Sequence, residues 1–348
     1  MKSHDNICCS TTVKKQKWFL NRSLLLLFAL SLIMGLSMIW PVLFQFRQNL
    51  WMFIRMIWWA IVAGFILGGL LDRYVPKEYI SRLLAGKKKR SIFYAVLLGF
   101  LMSACSHGIL ALSIELYKKG AATPVVVAFL LASPWANLPL TLMLLGFFGL
   151  KALYIILGAM FVAFNTGVVF QILEKRGMIE SNPNALPFNR DYSVSSDIQR
   201  RVKELGKYSF GKFKKDSIAV LRGALALADM TLWWIIIGMV LSSGVATFIP
   251  ENLFRQYMGA SILGLLATLG LATIMEVCSE GTAPLAFEIY KQTGAFGNAF
   301  VFLMAGVVTD FTEIGLIWTN IGRKAALWIP AIAVPQVIVL GFLANYIF

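Results

Sequence analysis

A four-residue motif, Cys-Ser-x-Gly, occurs twice in this chain, and each copy interrupts a strongly apolar stretch. The copies begin at Cys105 and Cys278, 173 positions apart. Two further pairs of segments are similar at the same interval: 115–118 with 288–291, and 129–132 with 302–305. Many transporters are built from such repeats and place the polar turns of each repeat around the substrate. The sequence therefore predicts two related halves, each with a polar turn inside apolar sequence.

The composition places this chain in a membrane. Of its 348 residues, 58% are hydrophobic and only 14% are charged, and the mean hydropathy is +0.73. Soluble domains contain about 25% charged residues. Long apolar runs recur throughout, and in lipid a helix satisfies every backbone polar group within its own segment. These features predict an all-α polytopic membrane protein and argue against a soluble catalytic domain.

The apolar runs define the expected membrane spans. A basic N-terminal stretch followed by an apolar run resembles a signal peptide, but no small-residue cleavage site follows Trp40, so we expect an uncleaved first span. Two stretches, 91–117 and 262–291, are interrupted by the Cys-Ser-x-Gly turns. The ordinary spans are expected at 23–44, 51–71, 124–147, 151–172, 220–249, 298–319 and 325–347.

The distribution of positive charge indicates how the interrupted stretches lie. The net charge of +15 comes from lysines and arginines in short segments between apolar runs, which fits the positive-inside rule better than nucleic-acid binding. Basic clusters at 87–90 and 118–119 flank the first interrupted stretch. A crossing would put one cluster outside, whereas a re-entrant hairpin keeps both in the cytoplasm. Each arm would have about 13 residues, or roughly 20 Å of helix, enough to pass the midplane.

With both stretches re-entrant, equivalent elements are separated by an odd number of crossings. The two halves then have opposite orientations, and the fold is an inverted-topology repeat with two re-entrant hairpins that enter from opposite faces and meet near the midplane. The N-terminus is expected in the cytoplasm, and the chain in the plasma (inner) membrane. The expected segments are a cytoplasmic tail (1–22), a first span (23–50), repeat 1 (51–173), a basic cytoplasmic loop (174–219) and repeat 2 (220–348).

The residues of the two turns are the first candidates for substrate binding. A thiolate binds soft, thiophilic centres, and two opposed tips offer one thiol each; alternatively, cysteine is simply a small residue that packs well in a turn. Gly108 and Gly281 permit the sharp turn, while Ser106 and Ser279 cap the second arm or hydrogen-bond a ligand. Cysteine and histidine spacing shows neither a zinc pattern nor a CxxC pair. We therefore expect no metal and no cofactor.

Charged side chains near the turns form a second group of candidates. His107 stands in the first motif where Glu280 stands in the second, and Glu276 lies just before the second motif. A carboxylate at membrane depth is costly and is a functional hypothesis by default. His107 is interpreted as a ligand, a proton carrier or a hydrogen-bonded turn residue. By contrast, Glu115 and Glu288 precede Tyr-Lys at the ends of the hairpins and are expected to be solvated.

A third group lies in the spans that follow the hairpins. Asn137 and Asp310 align at the 173-residue interval, and Glu313 lies three residues beyond Asp310, on the same helical face. Asn137, like Glu280 of the second turn, is interpreted as a substrate-binding residue. Asp310, Glu313 and Glu276 are candidates for proton coupling. The alternative is that these groups form interhelical hydrogen bonds that hold the bundle together.

These motifs resemble those of the ArsP-type permease family over about residues 50–348. The resemblance is carried by the two Cys-Ser-x-Gly turns and by three stretches that surround them, Phe-Leu-Leu-Ala-Ser-Pro-Trp-Ala-Asn (129–137), Cys-Ser-Glu-Gly-Thr-Ala-Pro-Leu (278–285) and Phe-Leu-Met-Ala-Gly (302–306). It implies a bacterial or archaeal permease of the plasma membrane. Some members of that family export trivalent organoarsenicals, and for them the implied binding elements are the motif cysteines, here Cys105 and Cys278. The first family motif is often Cys-Ser-Cys-Gly, whereas His107 stands at the third position here.

The sequence favours a secondary permease for a small molecule that works by alternating access, in contact with membrane lipid and not with nucleic acid. Export of a soft metalloid compound is the leading substrate hypothesis, and another small solute is the main alternative. A membrane thiol oxidoreductase using both cysteines and a nontransporting subunit of a larger complex also remain open. The absence of a CxxC pair argues against the enzyme. Assembly as a homo-oligomer is left open.

Overall fold

A computed structural model describes residues 41–74, 89–101, 106–118, 120–183, 210–248, 251–275 and 279–348. Thirteen α helices and no strand occur within these ranges, as expected for an all-α protein. Repeat 1 contains α1 (Pro41–Tyr74), α2 (Lys89–Leu101), α3 (Ser106–Lys118), α4 (Thr123–Ala136), α5 (Leu138–Phe148) and α6 (Ala152–Lys175). The remaining helices are α7 (Phe210–Phe248), α8 (Glu251–Tyr257), α9 (Ile262–Ile274), α10 (Ser279–Thr293), α11 (Phe296–Val308), α12 (Phe311–Asn320) and α13 (Arg323–Ile347).

Four segments of the described chain are long and apolar enough to cross a membrane: Leu43–Leu70, Leu138–Lys175, Phe296–Asn320 and Arg323–Ile347. Large apolar side chains cover their outer surfaces, among them Trp58, Phe161 and Val339. In water such exposure would be unfavourable, but next to lipid tails it costs nothing. The prediction of a polytopic helical membrane protein is therefore confirmed.

Two long helices extend beyond their predicted spans. Helix α1 begins at Pro41, ten residues before the span expected at 51–71, and α7 begins at Phe210, ten residues before the span expected at 220–249. The polar residues at these ends interrupt the apolar run without interrupting the helix; Arg47, for example, lies over the ring of Phe44. Most of the span expected at 23–44 lies outside the described residues.

Helices α1 and α7 pack against each other in antiparallel orientation. Asn49 near the start of α1 donates a hydrogen bond to Thr247 near the end of α7, at 3.4 Å. Near the other end of the pair, Gly69 lies directly against the α7 backbone at Val220 and Ala224. The end of α1 and the beginning of α7 therefore lie at the same end of the molecule.

Two predicted spans are each divided into two helices, which corrects the expectation of continuous helices at 124–147 and 298–319. The first divides at Asn137, between α4 and α5, where the backbone is extended (φ −68°, ψ 157°). Pro139 in the first turn of α5 favours a helix start there. The second divides at Thr309 and Asp310, between α11 and α12. Hydropathy gives no sign of either break because apolar residues continue on both sides.

The two interrupted stretches consist of short helices, as the sequence predicts. Helices α2, α3 and α9 have 13 residues each, and α10 has 15. The turn residues 102–105 and 276–278 lie outside the described residues. At 1.5 Å per residue each of these helices is about 20 Å long, less than the thickness of the hydrocarbon core.

The boundaries and contacts of the helices repeat at the interval seen in the sequence. Helices α9, α10, α11 and α12 each begin 173 residues after α2, α3, α4 and α5. Gly167 of α6 touches Ile92, Pro124 and Ala128, and Gly341 of α13 touches the three residues at the equivalent positions, which are Leu265, Gly297 and Val301. The two halves thus pack their helices in the same way, α2 with α4 and α6, and α9 with α11 and α13.

The closest of these contacts predicts where the fold tolerates no added methyl group. A Cβ atom on Gly297 would overlap the carbonyl group of Gly341. We expect Gly297→Ala to lower the melting temperature of the detergent-purified protein by several degrees, because overpacking costs about 1–3 kcal/mol. Gly270→Ala is the matched control, because nothing lies within 4 Å of its added Cβ. Equal melting temperatures for the two variants would contradict the close approach of α11 and α13.

Candidate functional site

The candidate site lies where the broken helices of the two halves meet. Asn137, at the break between α4 and α5, donates a hydrogen bond through Nδ2 to Oε1 of Glu280 in α10, at 3.0 Å. The two side chains are buried, with 1% and 3% of their surfaces exposed. They belong to different halves and lie 143 residues apart in the chain. The structure therefore brings together two residues that the sequence singles out separately.

Asn137 is held in place by its own helix cap. Its Oδ1 accepts a hydrogen bond from the backbone N–H of Leu140 at 2.8 Å, and its carbonyl oxygen accepts one from the N–H of Thr141. This is the geometry of an N-cap residue. With Oδ1 occupied in this way, the amide NH2 group points away from α5 and toward the other half. Asn137 thus stabilises the break and presents a hydrogen-bond donor at the same time.

Glu280 is positioned by the beginning of α10. It lies in the first turn of that helix, where the free backbone N–H groups favour a negative charge. The next residue, Gly281, lies in direct backbone contact with Gly238 of α7, so α10 begins between α7 and the break at Asn137. Thr282 is also buried there. A carboxylate with an amide partner is thereby held inside the molecule.

The second break repeats the capping arrangement of the first. Oδ1 of Asp310 accepts a hydrogen bond from the N–H of Glu313 at 3.1 Å, just as Oδ1 of Asn137 accepts one from a residue three positions on. Asp310 is partly buried, whereas Glu313 is almost fully buried. Thr309, directly after α11, and Thr273 of α9 share a hydrogen bond at 3.0 Å. The break at 309–310 therefore lies beside the end of the first arm of the second hairpin.

The remaining sequence candidates belong to the two turns. Cys105, Cys278 and Glu276 lie outside the described residues. The backbones of Ser106, His107 and Gly108 form the first turn of α3, and Ser279 is the first residue of α10; the side chains of Ser106, His107 and Ser279 are likewise outside the described part. Their helical positions agree with the expectation that a new helix begins at each motif.

One polar contact between the halves was not expected from the sequence. Nε1 of Trp135 donates a hydrogen bond to the carbonyl oxygen of Met304 at 3.2 Å, and its ring is fully buried. This bond joins α4 to α11 two residues before the Asn137 break. The only signal in the sequence is that Trp135 lies in the same Ser-Pro-Trp-Ala-Asn stretch as Asn137.

Glu288 corrects a further expectation. Glu115 is exposed, as predicted, but Glu288 is only 1% exposed. Gln292 donates to its Oε1 at 2.8 Å, and the ammonium group of Lys291 lies 3.7 Å from its Oε2. Helix α8 packs on α10 at this end, and Arg255 of α8 hydrogen-bonds the carbonyl oxygen of Gln292. Equivalent sequence positions therefore have different environments in the two halves.

The described residues at the two helix breaks contribute amide, carboxylate and hydroxyl groups. Among them, no group of three or more histidine, cysteine or carboxylate side chains is arranged to hold a metal ion. The central polar contact joins an amide donor to a carboxylate, and both groups are neighbours of free helix ends. Such helix ends and polar groups form the binding sites of transporters with broken helices.

Several known proteins are similar to this chain over most of its length. UPF0718 protein YcgR of Bacillus subtilis is 24% identical over 258 residues, which cover 73% of this chain and 81% of that protein. Putative permease Rv2963 of Mycobacterium tuberculosis is 23% identical over 295 residues, covering 79% and 70% of the two chains. A putative two-component membrane permease complex subunit of Streptococcus mutans is 21% identical over 257 residues, covering 73% and 79%.

No solved structure matches this chain. A family model, ArsP_1, described as "Predicted permease", matches residues 48–346 and thus nearly all of the repeat region. Together with the four apolar segments of spanning length, this match identifies a multi-pass membrane protein that belongs to the ArsP_1 family of predicted permeases.

Proposed function

We propose that this permease is a secondary transporter that carries a small, soft solute by alternating access around the broken helices of its two halves. The observation that carries the proposal is the buried contact between Asn137 and Glu280. A bundle that only anchors a protein needs no helix ends in its interior, because each free end exposes backbone groups that lipid cannot satisfy. Transporters accept that cost to bind polar ligands at the midplane.

The pairing of elements supports a two-fold relation between the halves. At the 173-residue interval, Asn137 corresponds to Asp310, and Glu280 corresponds to His107. Helix α5 contacts α10, which brings Asn137 to Glu280; the equivalent helices, α12 and α3, also contact each other. A two-fold axis requires both contacts, because it relates each contact from the first half to the second with an equivalent contact from the second half to the first.

Contacts at the helix ends support a re-entrant path for the first interrupted stretch. Asn182, just after α6, donates a hydrogen bond to the carbonyl oxygen of Tyr117 at 2.6 Å. Residues 117 and 182 therefore lie at the same membrane face, so α4–α5 and α6 each cross once. Gly69 and Val220 also lie at one face. Between Gly69 and Val220, the crossings by α4–α5 and by α6 return the chain to the same face. A third crossing by residues 91–117 would place Gly69 and Val220 on opposite faces.

The same counting supports a re-entrant path for the second stretch. Lys151 donates a hydrogen bond to the hydroxyl group of Tyr290 at 2.7 Å, so the two residues lie at one face. Between them, α6 and α7 cross once each, and the intervening segment 184–209 is too polar to cross. A crossing by 262–291 would again place contacting residues on opposite faces. The two hairpins would then enter the membrane from opposite faces. By the positive-inside rule, we expect the N-terminus and the loop 174–219 in the cytoplasm.

The substrate we propose is a trivalent organoarsenical, exported across the plasma membrane. The motif cysteines 105 and 278 would supply the thiolates that such a soft centre prefers. Ser106, His107 and Ser279 would add polar contacts, with Gly108 and Gly281 allowing close approach. Glu276, Asp310 and Glu313 are the proposed carriers of coupled protons, because ionisable groups inside membrane bundles commonly line proton paths.

A second candidate function is supported by one relative. The Streptococcus mutans protein is described as a putative subunit of a two-component membrane permease complex. On this alternative, the chain would transport only together with a second protein. Co-purification of a stoichiometric partner with the tagged protein from its native host would favour this arrangement over a self-sufficient transporter or a homo-oligomer.

The substrate is tested by accumulation of methylarsenite in an efflux-deficient bacterium that expresses the protein. We expect the wild-type protein to lower accumulation, and Cys105→Ser and Cys278→Ser to return it to the level of cells with empty vector, because serine does not bind trivalent arsenic as a thiolate does. Cys9→Ser, in the N-terminal tail, is the matched control and should behave like the wild type. Full export by both motif variants at equal expression would contradict a thiol site.

The Asn137–Glu280 contact is tested by exchanging its charges. Asn137→Asp keeps the cap acceptor but sets two carboxylates 3.0 Å apart, so we expect a melting temperature several degrees lower at pH 7.5, as an unpaired buried group costs about 1–3 kcal/mol. Adding Glu280→Gln restores a donor–acceptor pair and should recover most of the loss. If the double variant is no more stable than Asn137→Asp alone, the two side chains are not partners.

A further inference from the structure

The Glu-x-Tyr-Lys sequence that ends each hairpin has no role in the substrate site. Its tyrosines, Tyr117 and Tyr290, are equivalent at the 173-residue interval and lie near the ends of α3 and α10, far from the turns. Both side chains nevertheless make specific contacts with the other half of the protein. These contacts have the same plan at the two hairpins.

At the second hairpin, Tyr290 contacts the junction between α5 and α6. Its hydroxyl group accepts a hydrogen bond from Lys151 at 2.7 Å, and its ring lies 5.9 Å from that of Phe148. The ammonium group of Lys151 also lies 5.1 Å from the centre of the Tyr290 ring and 5.3 Å from that of Phe348, at distances typical of cation–π contacts. We call this set of contacts the Tyr290 latch.

At the first hairpin, Tyr117 contacts the junction between α12 and α13. Its hydroxyl group donates a hydrogen bond to the carbonyl oxygen of Ile321 at 3.2 Å, and the side chain is buried. Asn182 reinforces this end by donating to the carbonyl oxygens of Tyr117 and Ala121 at 2.6 and 2.7 Å. We call this set of contacts the Tyr117 latch.

The two latches are exchanged by the two-fold relation. Ile321 is the equivalent of Phe148, so Tyr117 binds in the second half at the position where Tyr290 binds in the first. In each case the outer end of one hairpin is tied to a helix junction of the opposite half. The repeated motif is therefore explained by a repeated contact rather than by the substrate site.

The two latches lie at opposite ends of α6, because Lys151 precedes that helix and Asn182 follows it. The Tyr117 latch lies beside Lys118, Arg323 and Lys324 and joins the start of the basic loop, which marks the cytoplasmic side under the positive-inside rule. The Tyr290 latch belongs to the second hairpin, which in an inverted repeat enters from outside. A bond between the halves at one face opposes their separation at that face.

We propose that the two latches are the gates of the transport cycle, the Tyr117 latch closing the cytoplasmic side and the Tyr290 latch closing the external side. This proposal rests on the proposed alternating-access function. In the structure both latches are formed. Opening to one side requires the latch at that face to break while the other holds, and the two-fold relation makes the two openings equivalent movements of the halves.

The gates are tested by the accessibility of the native thiols Cys105 and Cys278 to a membrane-impermeant maleimide, applied from either face of sealed vesicles of known orientation. Tyr117→Phe should raise the labelling rate from the cytoplasmic face only, and Tyr290→Phe from the external face only. Loss of one hydrogen bond predicts a change of about two- to tenfold. Tyr94→Phe, an exposed tyrosine of α2, is the matched control and should change neither rate.

A second variant at each latch guards against a folding defect. Lys151→Gln should act like Tyr290→Phe, and Tyr117→Leu, which also removes the hydrogen bond to Ile321, should act like Tyr117→Phe. Rates that rise at both faces together, or that do not change while wild-type thiols remain reactive, would overturn the gates but would not contradict the proposed thiol site. Thiols that react from neither face in any variant, but react after denaturation, would overturn the proposed substrate site as well.

Discussion

Every helix end inside a membrane leaves backbone N–H and C=O groups that lipid cannot satisfy, and this constraint shapes the whole protein. The described chain has helix ends at four places within its apolar stretches: on either side of each Cys-Ser-x-Gly turn, and at Asn137 and Asp310. At the last two, a side-chain oxygen caps the new helix from the residue at the break. At Asn137 the Nδ2 group of the same side chain donates a hydrogen bond to Glu280. The residue that caps α5 therefore also joins the two halves of the protein. The candidate site therefore coincides with a buried contact between the two halves.

The sequence predicts the class, the repeat interval and the interrupted helices because these depend on composition and on turn residues. It does not reveal the breaks at Asn137 and Asp310, since apolar residues continue on both sides and only tertiary contacts make a cap more favourable than a continuous helix. The ends of α1 and α7 were also misplaced, because polar side chains such as Arg47 at a membrane surface do not end a helix. Glu288 was expected in solvent like Glu115, and nothing in its local sequence indicates that α8 packs on α10 at that end.

Equivalence between the halves explains contacts that would otherwise be unrelated. Gly167 and Gly341 contact residues at equivalent positions. Asn137 and Asp310 cap equivalent helices, and Tyr117 and Tyr290 contact equivalent helix junctions. The exceptions are informative. His107 in place of a second carboxylate, and a buried Glu288 opposite an exposed Glu115, make the two hairpins chemically different.

We infer that both interrupted stretches enter and leave the membrane on the same side, the first from the cytoplasm and the second from outside. Single cysteines at positions 90 and 118, and at 255 and 291, in a protein whose four native cysteines are serine, test it directly through labelling of sealed vesicles by an impermeant maleimide. We expect positions 90 and 118 to react only from the cytoplasmic face, and positions 255 and 291 to react only from the external face. Reaction of the two members of either pair from opposite faces would make that stretch a crossing and would contradict the inverted repeat.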